Sequence, residues 1–178
     1  ATPSEGETVG DRVTFTVGFR DEYYALAEAV FDDPDRSDPR PGLVTSGLID
    51  PGVCHWGTRE VRFAKRRFEA PRIDLDLLPE RARRWADRML VPKLLVANQT
   101  RGIEVVVDRD GQWLPGVPVI AGLIRPDADT DLDEVGAVLS APAAQSWVRA
   151  LAAGSGLSVS SIRLSPALLA SVPWPSTA

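Results

Sequence analysis

The sequence predicts an α+β protein: a mixed or antiparallel twisted β-sheet with a central hairpin, helices flanking it, and a helical C-terminal third. Three observations predict this. Short apolar stretches rich in β-branched residues, "VTFTV", "KLLVA" and "IEVVV", have the length and composition of strands. Stretches such as "EYYALAEAVF" and "PERARRWADRML" repeat apolar residues at helical spacing. Beyond residue 130 the helical pattern takes over almost completely. With 178 residues, 44% hydrophobic and 25% charged, the chain can bury a core of useful size as one domain, or as one large and one small lobe.

The elements follow in order. Residues 1–11 read as a polar, disordered tail and 12–175 as a single domain. Val13–Val17 alternates as a strand and Gly18 breaks it. Asp21 can cap a helix over "EYYALAEAVF", which ends in the Pro-bearing acidic loop "DDPDRSDPRPG". Leu43–Ile49 reads as a short strand closed by Asp50-Pro51-Gly52, and "WGTREVRFAKRRF" as a half-buried strand leading into a basic corner. Pro79 and Glu80 start a helix that Pro92 ends. Lys93–Ala97 and Ile103–Val107 pair as the central hairpin, and Val117–Leu123 is a third strand. Thr130-Asp131-Leu132-Asp133 has the composition of a capping box before "DEVGAVLS". Pro142 opens "PAAQSWVRALAAG", with Gly154 suited to terminate it. Ile162–Leu164 is a short strand, and Ser165-Pro166 caps a last helix that stops at "PWP". Trp56, Trp113, Trp147 and Trp174 read as packing residues.

The chain carries a net charge of −5, but unevenly. Residues 1–53 hold 4 basic and 11 acidic groups (−7), 54–109 hold 13 and 8 (+5), and 110–178 hold 3 and 6 (−3). The middle is a basic island in an acidic chain. The arginines at 81, 83, 84 and 88 alternate with Glu80 and Asp87, which suits a solvated helix face. No glycine-rich loop joins a strand to a helix, and no Gly-x-Ser-x-Gly elbow occurs. His55 is the single histidine and Cys54 the single cysteine. As neighbours on a strand they would face opposite ways, which argues against a nucleophilic pair. The lone cysteine excludes an internal disulfide and agrees with a cytoplasmic protein. No apolar run reaches the length of a membrane span, and "ATPSEGETVG" has neither a leader's apolar stretch nor a starting Met, so the chain reads as part of a longer protein.

The remaining chemistry is that of recognition. Base edges are read by Arg or Lys on guanine and by Asn or Gln on adenine, and phosphates by cations and small hydroxyls. Asn98, Gln99, Thr100 and Arg101 supply both kinds within one polar break, with Lys93 on the strand before it. Arg59, Arg62, Lys65, Arg66, Arg67 and Arg72 supply charge upstream. The plain alternatives are a polar hairpin turn at 98–101 and, at 59–72, a strand edge whose cations deter sheet pairing.

At "LVPKLLVANQTRGIEVVVDRDGQWLPGVPVI", and again from "VGAVLSAPAAQSW" to "SGLSVSSIRLSPALLASVPWP", the chain resembles the C-terminal target recognition domain of bacterial N-6 adenine DNA methyltransferases. These are the methylases of type I and type IIG restriction-modification and related phage-defence systems. The pieces that carry the likeness are Lys93, Asp108 with Gly111, Leu139-Ser140, Arg163-Leu164-Ser165 and Pro173-Trp174-Pro175, and it spans roughly residues 12–175. The resemblance implies a non-catalytic domain that reads double-stranded DNA. Its other partners would be the catalytic domain of the same polypeptide and further restriction or defence subunits. S-adenosylmethionine would bind in that catalytic domain, leaving this chain without a cofactor. The family's Asn/Asp-Pro-Pro-Tyr/Phe motif is missing here, since no Pro-Pro pair occurs. The alternative is a protein-interaction module docking a partner subunit of such a system, supported by the acidic balance. A stand-alone hydrolase has no supporting constellation.

Overall fold

Strand β9 (Lys93–Val96) is buried along its whole length. It lies between β13 (Ile120–Ile124) and β11 (Val105–Asp108), and β1 (Val13–Val17) flanks β13, every pairing being antiparallel. The pleat sends alternate residues to opposite faces. Leu94 and Val96 enter a core with Val13, Phe15, Val105 and Ile120; Leu95 and Ala97 enter another with Val106 and Ala121. A strand covered on both faces carries an unbroken apolar run, which is why "KLLVA" shows no polar alternation. The computed structural model describes residues 6–153 and 161–176, apart from the side chain of Gln99.

Helices α3 (Leu132–Ser140), α4 (Pro142–Ala152) and α5 (Pro166–Ala170) cover the Leu94 face of this sheet. The Leu95 face packs on α1 (Arg20–Ala29), α2 (Glu80–Met89) and a second sheet. That sheet is mixed, in the order β12 (Trp113–Pro115), β3 (Gly42–Val44), β8 (Pro71–Ile73), β2 (Val30–Asp32), with β12 and β3 parallel. The α+β class and the antiparallel central hairpin are therefore present. Helix α2 buries Ala82, Trp85, Ala86 and Met89 at i, i+3, i+4, i+7; each large side chain so buried contributes about 1.5–3 kcal/mol. Its outer face carries the ion pairs Arg84–Glu80 (2.7 Å) and Arg83–Asp87 (3.3 Å). No helix among the described residues is long and apolar enough to cross a membrane.

Several boundaries differ from the sequence reading. Helix α1 begins after Phe19, whose N–H donates to the Glu22 carboxylate at 2.8 Å, so Asp21 lies inside it. It stops at Ala29 because the extended Val30 and Phe31 pair with Ile73 and Arg72. The stretch 43–49 is broken by a 3₁₀ turn at Ser46–Leu48 before the short β4 (Ile49–Asp50), which pairs with β5 (Val53–Cys54). The basic stretch is no single strand: it doubles back as β6 (Val61–Phe63) and β7 (Arg66–Phe68). Part of the expected tail is folded. Val9 is fully buried in a 3₁₀ turn, and the Trp174 N–H donates to the Glu7 carbonyl at 2.9 Å, closing the N-terminal segment on the C-terminal one. Residues 1–5 of that tail, and the helix-ending role of Gly154, lie outside the described residues.

Candidate nucleic-acid interface

The β6–β7 hairpin is amphipathic. Val61, Phe63 and Phe68 are buried in the core, so the alternate positions, Arg62 and Arg67, point outward. These two arginines stand directly opposite each other in the register. Like charges so placed repel and weaken the pair; Glu60, 3.3 Å from Arg67, offsets part of this. Arg66 lies over the Phe68 ring, 5.1 Å from its centre, and reaches the Ala27 carbonyl at 3.5 Å. At the tip, Ala64 and Lys65 have φ of 48° and 66°. A two-residue turn of this kind needs positive φ at both positions and usually takes Asn-Gly, so the tip holds strained backbone. Arg62 and Lys65 are exposed and have no ion-pair partner among the described residues.

An open groove of about 470 Å³ runs along the hairpin, lined by Tyr23, Thr45, Ser46, Arg62, Phe63 and Pro118. The Thr45 hydroxyl beside it is buried without a hydrogen-bond partner among the described residues. The 45–47 loop links the segment just before the hairpin to the polar break: Arg59 donates to the Gly47 carbonyl at 2.9 Å, and the Asn98 N–H donates to Ser46 Oγ at 3.3 Å.

The break itself is not a free hairpin turn. Gln99–Thr100 forms a short strand, β10, that leaves the central sheet and pairs with β14 (Ile162–Arg163). The Leu164 N–H donates to the Asn98 carbonyl at 2.8 Å. Gln145 of α4 then grips Ile103, its Oε1 accepting the N–H at 2.7 Å and its Nε2 donating to the carbonyl at 3.1 Å. The Thr100 hydroxyl is spent on the Gly102 carbonyl. Asn98 is half-buried and Arg101 is exposed.

Three of the expected contact residues are engaged by carboxylates of the chain itself. Lys93 is 0% exposed, and its Nζ lies 2.6 Å from Asp108 Oδ2, its cross-strand neighbour, itself 1% exposed. Asp108 also accepts the N–H groups of Gln112 (3.2 Å) and Trp113 (3.1 Å), organising the turn after β11. Burial pushes the Lys93 ammonium below the usual lysine range, against the opposing pull of Asp108. This lysine is an internal strut with no exposed surface. Arg72 is likewise internal: its Nε donates to Asp33 at 2.6 Å and its guanidinium lies 4.6 Å from the Trp56 ring centre. Arg59 is exposed but held by Asp50 at 2.7 Å, which in turn draws that carboxyl below its ordinary range.

His55 meets Asp50 at 2.9 Å rather than Cys54, whose thiol is pushed up by burial. What the sequence reading missed is the arrival of Arg149 and Arg163 at the break: Arg149 Nε donates to the Arg101 carbonyl at 3.4 Å, and Arg163 faces Gln99 across the β10–β14 pair. The available signal was that these are two of only three cations beyond residue 109, each set in an apolar stretch. The arrangement can hold a polyanion against a rigid edge. No family model matches the chain, and no curated protein matches it.

Proposed function

We propose that this chain is the DNA sequence recognition domain of an N-6 adenine DNA methyltransferase, without catalysis of its own. The observation that carries the reading is the β6–β7 hairpin. A chain of net charge −5 sets Arg62 opposite Arg67, puts Lys65 at the tip, and leaves Arg62 and Lys65 on the surface without an ion-pair partner among the described residues. Duplex phosphates would relieve that repulsion and release counterions. The likeness of residues 12–175 to target recognition domains supplies the class of partner. The methyl donor, S-adenosylmethionine, and the pocket for the flipped adenine would belong to a catalytic domain of the same polypeptide. The setting would be cytoplasmic.

The test is a fluorescence anisotropy titration of a labelled mixed-sequence duplex with the whole chain and with R62E/R67E. Weak, salt-sensitive binding that the charge reversal abolishes supports the reading. An affinity unchanged between low and moderate salt rejects it. A second reading, a module docking a partner restriction or defence subunit, rests on Phe19, Tyr24 and Leu77, large apolar side chains 69%, 53% and 59% exposed. Loss of DNA binding in R62E/R67E with subunit docking retained separates the two.

A further inference from the structure

Helix α4 buries Ala144, Val148 and Ala152, the i, i+4, i+8 stripe that seats it on the core. The adjoining stripe, Gln145 and Arg149, lies over the polar break. Gln145 is fixed by three hydrogen bonds, two to Ile103 and one from its Nε2 to the Leu139 carbonyl at 3.2 Å. The approach is close enough that a Cβ at Gly102 would collide with Gln145 Oε1. Arg149, four residues on and on the same face, is aimed by its Nε bond to the Arg101 carbonyl, which engages one of the guanidinium's five N–H donors. Arg163 stands on β14 between the half-buried Ile162 and the buried Leu164, so its side chain faces outward. Arg101, Arg149 and Arg163 are all exposed, and among the described residues none has a carboxylate within ion-pair distance. Other arginines, such as Arg40, Arg59, Arg72, Arg84 and Arg109, are paired with carboxylates, whereas Arg62 on the hairpin, like these three, has no such partner among the described residues. Three guanidinium groups with no carboxylate partner among the described residues, set around one clamped backbone segment, make a surface suited to anions. A planar fork of N–H donors matches phosphate oxygens.

We infer that Arg101, Arg149 and Arg163 form a second phosphate contact, carried by α4 and β14 and separate from the hairpin. The inference rests on the DNA-reading function proposed above. The segment 98–101 would then sit against a backbone gripped from two elements, with α4 and β14 acting as the jaw that the hairpin lacks.

The test uses the 178-residue chain, a labelled mixed-sequence duplex, and titrations from about 50 to 200 mM NaCl. Each phosphate contact contributes about 0.9 to the slope of log affinity against log salt, or about 3.5-fold over that range. R149Q/R163Q should therefore lower the slope by about 1.8, alike on unrelated sequences, and R149K/R163K should largely restore it. R88Q, which removes a charge from α2, should leave the slope unchanged. Thermal melts of all variants check that the exposed substitutions leave folding intact. A parent chain that binds while R149Q/R163Q keeps the parent slope overturns this inference and spares the DNA reading. A parent chain that does not bind DNA at all overturns both.

Discussion

Replacing Lys93 by methionine separates an internal strut from a DNA contact. The side chain is similar in length and apolar, so packing changes little. What disappears is the ammonium 2.6 Å from Asp108 Oδ2. The carboxylate left behind is 1% exposed and keeps only the N–H groups of Gln112 and Trp113. Removing one partner of a buried pair costs about 3–5 kcal/mol, because the other charge stays buried and uncompensated. Domains are stable by only about 5–15 kcal/mol. At about 2–4 °C per kcal/mol, the melting temperature should fall by about 6–20 °C. Denaturant titration followed by fluorescence of the five tryptophans measures the loss. DNA titration below the new melting range should return the parent's salt slope. A variant within about 0.5 kcal/mol of the parent, but with a slope lower by about 1, would mean that Lys93 reaches a phosphate and that its burial has been misread.

Three further outcomes follow from the same geometry. A64N/K65G gives the hairpin tip residues that accept positive φ and should raise stability by about 1–2 kcal/mol, seen as a higher denaturation midpoint; no gain would mean the tip is unstrained. Gln145→Ala strands the N–H of Ile103, a residue only 3% exposed, at a cost of about 1–3 kcal/mol; amide exchange at Ile103 should accelerate, and unchanged exchange would show that α4 does not hold the break. The Arg40 guanidinium and backbone N–H hold the Asp38 carboxyl at about 2, below the unfolded value of about 3.9. Its contribution is complete above that value and is lost as pH falls towards about 2, so Arg40→Gln should flatten acid destabilisation in this window, and parallel acid titrations of variant and parent would contradict the assignment.

The elements read from the sequence were those whose signal is local. Strand β1 has the bounds expected from "VTFTV", and the β9–β11 hairpin follows from two apolar runs around a polar break. Ser165 caps α5 as expected, accepting the Leu168 N–H at 3.1 Å. Reversals and partner exchanges were not legible. The hairpin at residues 61–68 turns on Ala64-Lys65, which carries no turn signature. Gln99-Thr100 pairs with Ile162 and Arg163, a strand brought back by the helical third.

The sequence by itself determined the α+β class, the central hairpin, the helical last third and the basic island, because periodicity, capping and composition act over a few residues. Only the tertiary structure decided which cations are available. Arg72 is neutralised by Asp33, 39 positions away, and Lys93 by Asp108, 15 away, whereas Arg149 and Arg163 are brought to the break with no carboxylate partner among the described residues. A charge is legible in a sequence, but the group that neutralises it is set by which strands pair and which faces close.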